Sequence, residues 1–168
     1  MRSAKPWNSS MAAFISAVYI ARIEPNYMTD KIFVDTNILV YAHDVDDRSK
    51  QAVARDALRG LWNDATGVIS PQVLQEFYVS VTRKIAAPIS KEAARQVISA
   101  YAIWCIDVTS ADVAAALRIE DDAKIGFWDA LIIASAAKAG ATKLLTEDLN
   151  PGQVVAGIMI ENPFAKDH

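Results

Sequence analysis

Between Lys31 and Ile160 short apolar runs alternate with stretches of helical spacing, and this alternation restricts the chain to a few architectures. Lys31 to Asp35 is an apolar run closed by an acid and reads as a buried strand. Ala54, Leu58, Leu61, Trp62 and Ala65 then share one helical face, in a segment opened by Asp46, Asp47 and Ser49. Gly67 to Ser70 reads as a second brief strand, and Pro71 suits the first position of a helix running to about Ile85. A further helix is expected from the stripe Ala94, Val97, Ile98, Tyr101 and Cys105, with a strand over Cys105 to Val108. Thr109 or Ser110 caps the next helix, Gly126 interrupts the pattern, and Phe127 to Lys138 forms a strongly apolar helix ended by Gly140. Thr142 to Thr146 and Val154 to Ile160 read as the last strands. The expected fold class is α/β, a sandwich of helices about a short, mainly parallel central sheet.

With 168 residues, 52% of them hydrophobic, the chain has enough material for one domain with a real core and too little for two. The single cysteine, Cys105, excludes an intrachain disulfide, and two histidines are too few for a Cys/His zinc cluster. A reducing, cytoplasmic setting is expected, and no run reaches the roughly 18 apolar residues of a membrane span. The net charge of −3 excludes a protein that coats nucleic acid with a broad basic face, so RNA would have to be handled locally. Residues 1–28 read as a loosely attached or partly helical extension, with residues 29–168 as the domain. The Met11 to Ala21 run has the shape of a short signal core but no clear cleavage site before Glu24.

Four acids stand where an acid is locally awkward. Asp35 directly follows Ile32-Phe33-Val34; Glu76 borders the arc Val73, Leu74, Phe77 and Val81; Asp129 lies three and four residues before Ile132 and Ile133; Asp148 ends a strand. Each has an ordinary explanation alone: a cap, a solvated border residue, an acid at a helix N-terminus, a turn residue. Together they are spread across three strand-to-helix junctions and one intervening helix that an α/β sandwich can bring together at one edge, beyond the carboxyl ends of its strands. Two carboxylates about 5 Å apart repel by roughly 3 kcal/mol at an effective dielectric near 20, so such a group takes up protons or holds a cation. Oxygen-only ligands select Mg²⁺ or Mn²⁺ over zinc.

The runs FVDTNILVYA (Phe33 to Ala42), SPQVLQEFYVSVTRK (Ser70 to Lys84), FWDALIIASA (Phe127 to Ala136), LLTEDLNPGQ (Leu144 to Gln153) and ENPF (Glu161 to Phe164) resemble, in order, the motifs of VapC-like PIN domains. The resemblance covers about Thr29 to Phe164. It implies a metal-dependent endoribonuclease, the toxin of a toxin-antitoxin pair, usually a homodimer and inhibited by an antitoxin protein. It places the catalytic, metal-holding acids on Asp35, Glu76, Asp129 and Asp148, and supporting polar groups on Asn37 and Thr146. The role of Glu147 stays open.

Arg83, seven residues after Glu76 and on nearly the same helical face, is a candidate contact for an RNA phosphate, against the plainer reading of a solvated arginine near a helix end. Asp44, Asp46 and Asp47 around His43 read as a solvated loop and helix cap. Trp62, Tyr101, Trp104 and Trp128 fit core stripes better than base-stacking platforms. Two rival functions are compatible with parts of the sequence. Asp35-Thr36-Asn37 after an apolar strand also evokes the nucleophile motif of haloacid-dehalogenase-like phosphatases, but Asn37 stands where that motif needs a second acid. A non-catalytic PIN-like module binding RNA or protein would be expected to have lost one or more of the four acids.

Overall fold

The computed structural model describes residues 30–165. The extension expected over residues 1–28 lies outside the described residues. Five strands form one sheet: β1 (Lys31–Val34), β2 (Gly67–Val68), β3 (Ala141–Leu145), β4 (Val154–Val155) and β5 (Ile158–Glu161). Six helices accompany them: α1 (Thr36–His43), α2 (Arg48–Asp64), α3 (Pro71–Val79), α4 (Lys91–Tyr101), α5 (Ser110–Ala123) and α6 (Phe127–Lys138). The expected α/β class with a mainly parallel sheet is what the chain adopts. The strand order is β2-β1-β3-β5-β4, with β1 parallel to β2 and β3, β3 parallel to β5, and only β4 antiparallel.

This order determines where a site can form. From β1 the chain crosses to β2 on one side, while β3, reached later, lies on the other side of β1 and leads on to β5 and β4. The direction of winding therefore changes between β1 and β3, and a crevice opens beyond their carboxyl ends. Asp35 and Thr146 are the residues that follow these two strands.

The core is built from the fully buried Phe33 and Val34 of β1, Ile38 and Leu39 of α1, Phe77 of α3, Ile133 of α6, Leu144 of β3 and Ile160 of β5. Helix α6 is buried continuously from Ala130 to Ala136. Ile132, Ile133 and Ala136 join the main core, while Ala130, Leu131 and Ala134 pack with Ala116 of α5 in a second cluster. A helix covered on two sides has no need of a polar stripe, which explains the apolar run from Ala130 to Ala134.

Three boundaries differ from the sequence reading. Residues Cys105 to Val108 do not form a strand; they keep a single bridge, Ile69 to Cys105, because Ala102–Trp104 continues α4 as a 3₁₀ turn and delays the return to the sheet. Val154 to Ile160 is a hairpin and not one strand, with Ala156 and Gly157 both at positive φ (49° and 82°) as a tight two-residue turn requires. Helix α3 does not run regularly to Ile85: residues Ser80–Lys84 form a π turn. No described helix is long and apolar enough to cross a membrane.

Candidate functional site

Asp35 serves first as a local device. It caps α1, its Oδ1 accepting the Thr36 N–H at 2.6 Å, as expected of an acid at the strand-to-helix junction. Its Oδ2 accepts from the Thr146 hydroxyl (2.7 Å) and from Asn37 Nδ2 (3.0 Å), which ties the ends of β1 and β3 together. Asp35 is only 8% exposed, and burial raises its pKa to about 6; hydrogen bonds from Thr146 and Thr36 oppose the shift, and the charges of Asp148 and Glu76 add to it.

The other acids come from three further elements. Glu76, exposed on α3, accepts from Thr36 Oγ1 (3.0 Å) and Gln72 Nε2 (2.9 Å). Asp148, in the loop after β3, accepts from Asn37 Nδ2 at 3.0 Å, and its own N–H donates to Thr146 Oγ1 at 3.1 Å. Asp129 lies in the first turn of α6, where the N-cap is Gly126; its pKa is raised by burial first, then by the charges of Asp148 and Glu76. All four acids line one cavity of about 510 Å³ at the β1/β3 crevice. Asn37, a second wall residue, links Asp35 to Asp148, while its Oδ1 is buried without a hydrogen-bond partner, as is Gln72 Oε1.

These features suit a hard divalent cation: the donors are all oxygen, two carboxylates are held against their own ionisation, and two buried amide oxygens are unsatisfied. The acids surround the cavity without being gathered into a ready-made ligand cluster; among the described residues no three acid, histidine or cysteine side chains stand together as one.

Arg83 is not brought to the cavity. It is exposed on the π turn, and Lys84 lines the wall in its place. A π turn holds one more residue than an α turn, so the position two turns beyond Glu76 falls one residue later than regular helical spacing predicts. Trp128 departs from the core role expected of it: it is 63% exposed and lines the cavity, while Trp62, Tyr101 and Trp104 do form an interior aromatic cluster with ring centroids 4.4 to 5.5 Å apart.

Glu147 turns away from the acids. Its carboxylate accepts from Tyr41 Oη and Lys50 Nζ, both at 2.5 Å, and Lys50 also lies over the Tyr41 ring, which meets Phe164 edge-on. This clamp anchors the loop between Thr146 and Asp148 to α1 and α2. Sequence reasoning missed it, together with Thr36 and Gln72, because residues of ordinary type acquire these roles only through contacts 40 to 106 positions away, or from a neighbour on the same helix face.

A mainly parallel α/β sheet whose winding reverses beside an acid-lined cavity is the architecture these residues build. The PIN domain family model matches residues 32–155, and the chain belongs to that family. The haloacid-dehalogenase-like reading is thereby set aside. None of the curated proteins compared with the chain matches it.

Among solved structures, a toxin-antitoxin complex from Klebsiella pneumoniae is similar at 20% identity and a TM-score of 0.58, covering 80% of this chain and 98% of that one. VapBC2 from Rickettsia felis, bound to a promoter DNA fragment, is similar at 22% identity and 0.57, covering 78% and 97%. VapC20 from Mycobacterium tuberculosis, a toxin that cleaves the sarcin-ricin loop, is similar at 21% identity and 0.51, covering 68% and 87%. At these identities the likeness establishes a shared fold.

Proposed function

We propose that this chain is a metal-dependent endoribonuclease acting as the toxin of a toxin-antitoxin pair in the cytoplasm, as a homodimer restrained by a cognate antitoxin. The observation that carries the reading is the cavity shared by Asp35, Glu76, Asp129 and Asp148, four acids from four segments, two of them with raised pKa values. Family membership and the fold shared with toxin-antitoxin structures support it.

The four acids would hold Mg²⁺ or Mn²⁺, which when bound supplies an activated water and neutralises charge on the phosphate. The chain's own polar residues set the geometry. Asn37 and Thr146 orient the carboxylates of Asp35 and Asp148, and Thr36 and Gln72 fix that of Glu76. Because Asp35 is buried and resists ionisation at mildly acid pH, it is a ligand whose charge is available mainly above its pKa of about 6.

The test is cleavage of a structured RNA by the intact chain in Mg²⁺ or Mn²⁺ and in EDTA. Cleavage should require metal, and Asp35→Asn or Asp129→Asn should abolish both cleavage and growth arrest when the chain is produced in a bacterial host. Asn37→Ala, which removes the supporting bonds to Asp35, Thr146 and Asp148 but no carboxylate, should cost about 10- to 100-fold. Cleavage that persists in EDTA would refute the metal mechanism. RNA binding indifferent to chelation, with no product, would favour the non-catalytic module.

A further inference from the structure

Glu147 and the run from Glu161 to Phe164 are sequence features that the cavity leaves without a role, and the two meet at Lys50. Lys50 Nζ donates to Glu147 Oε2 at 2.5 Å and to Tyr41 Oη at 2.9 Å, and Tyr41 Oη in turn donates to Glu147 Oε1 at 2.5 Å. The three side chains close a ring of hydrogen bonds in which each carboxylate oxygen has its own donor. Lys50 Nζ also lies 4.2 Å from the centre of the Tyr41 ring and 5.3 Å from that of Phe164, and Phe164 meets Tyr41 edge-on at 5.1 Å. Helices α1 and α2, the loop after β3 and the segment after β5 are thereby joined at one point.

The loop that carries Asp148 has little other support. Among the described residues its main chain bonds to the sheet at Thr146, whose N–H donates to the Glu161 carbonyl (3.0 Å), and next at Gly152, on the Ile160 carbonyl (2.9 Å). Between them Leu149 packs partly against the core, a contact that fixes depth and not direction. Asp148 is exposed; its N–H donates to Thr146 Oγ1, and its carboxylate accepts from Asn37. Where that carboxylate points therefore depends on how firmly the adjoining Glu147 is held.

An ion pair as accessible as this one, 30% for Lys50 and 22% for Glu147, adds little stability by itself, because holding a long lysine in one geometry costs entropy. Its geometric effect is the larger one. The pair is neutral, so it steadies the loop without adding to the repulsion among the acids.

Resting on the metal-dependent ribonuclease reading, we propose that Lys50, Tyr41 and Glu147, roofed by Phe164, are positioning residues that keep the Asp148 carboxylate turned to the cavity as a metal ligand. They act through Asp148 and hold no cation themselves.

The experiment compares the full chain with Lys50→Met, Lys50→Arg and Glu147→Gln by calorimetric titration with Mn²⁺, by kcat and KM for RNA cleavage, and by thermal melts in EDTA. Lys50→Met, which keeps the stem and removes the charge, should raise the Kd for Mn²⁺ about 10-fold or more and lower kcat in parallel, with KM for RNA and the melt in EDTA nearly unchanged. Lys50→Arg, which keeps the charge and the ring contacts, should recover most of both losses. Glu147→Gln keeps the shape and should shift the Kd in the same direction by less, and it decides the matter if Lys50→Met does not fold. Arg59→Met, which removes the ion pair to Asp56 elsewhere on α2, should leave the Kd unchanged.

Unchanged Mn²⁺ affinity in Lys50→Met and Glu147→Gln would overturn the proposal. So would a lower melting temperature in EDTA at constant Kd, since the ring would then serve stability alone, or a loss of affinity that Lys50→Arg leaves in full. If the unsubstituted chain binds Mn²⁺ and cleaves RNA while these variants match it, only this proposal fails. If the unsubstituted chain binds no Mn²⁺, the metal-dependent reading fails and this proposal falls with it.

Discussion

At the C-terminal end of α1, where the helix dipole favours a cation, His43 is held neutral. Its ring is 6% exposed and meets Phe77 edge-on at 5.4 Å; burial first, and then the charge of Arg55, lower its pKa to about 4. Burial outweighs the dipole, whose contribution is only about 0.3–1 kcal/mol on exposed sites. The unfolded chain takes up this proton near pH 6.5 and the folded chain only near 4, so the stabilisation is complete above 6.5 and lost as pH falls toward 4. The loss amounts to roughly 3 kcal/mol. Urea melts from pH 7.5 to 4.5 should show this fall in the intact chain relative to His43→Phe, and parallel curves would mean that the ring is not held neutral. The same contrast between local and long-range cause decides which site residues sequence could reveal. Asp35, Glu76, Asp129 and Asp148 were visible because each interrupts an apolar pattern within its own segment. Arg83, a candidate from regular helical spacing, stays exposed off the cavity and Lys84 lines it, because the π turn leaves no mark on residue types. Trp128 was read as core because it opens the most apolar helix of the chain, and only the tertiary packing leaves that first turn exposed.

Among the elements, β2 shows how a strand of two residues can hold a tight position. A Cβ on Gly67 would lie 2.7 Å from the ring of Trp104, which is 4% exposed and wedged against Trp62 and Tyr101. The indole has no free side to retreat to, so Gly67→Ala should displace the aromatic cluster and destabilise the fold by about 1–3 kcal/mol. Chemical denaturation checks this, and an unchanged midpoint would mean that the cluster yields at no cost. Helices were legible from spacing wherever one face met the core, as with Ala54, Leu58 and Leu61 of α2. Thr109 was likewise legible as a cap, and its capping box with Asp112 is formed. Helix α1 was less legible, because Ile38 and Leu39 are buried while Val40 and Tyr41 pack partly against the same core, which blurs any stripe over eight residues. The strand expected from Cys105 to Val108 failed for a related reason: four residues, one of them Asp107, cannot state whether a neighbouring strand is free to pair with them. Strand order, too, lay beyond the sequence, since it depends on which crossover passes which edge.

For the molecule as a whole, the acids at the winding reversal set folding stability against function, and metal should reverse the balance. Burial raises the Asp35 pKa from 3.8 to about 6, so the folded state carries no ionisation cost from this residue below 3.8 and the full cost above 6. At pH 7.5 without metal that cost is roughly 3 kcal/mol, the opposite sign to the His43 contribution. Asp35→Asn removes it but gives up an acceptor for Thr146 and Asn37, so in EDTA the variant should be neutral or more stable than the intact chain. A metal that binds only the folded state adds about 2.7 kcal/mol at a hundred times its Kd. The intact chain should therefore gain roughly 5 to 10 °C in Tm from Mn²⁺. Asp35→Asn, having lost a ligand, should gain much less, so the order of the two proteins reverses between EDTA and millimolar Mn²⁺. Thermal melts of both proteins in both conditions at pH 7.5 provide the measurement. No shift in the intact chain up to about 10 mM Mn²⁺ would remove the cation from the cavity, and equal shifts in both proteins would remove Asp35 from its ligands.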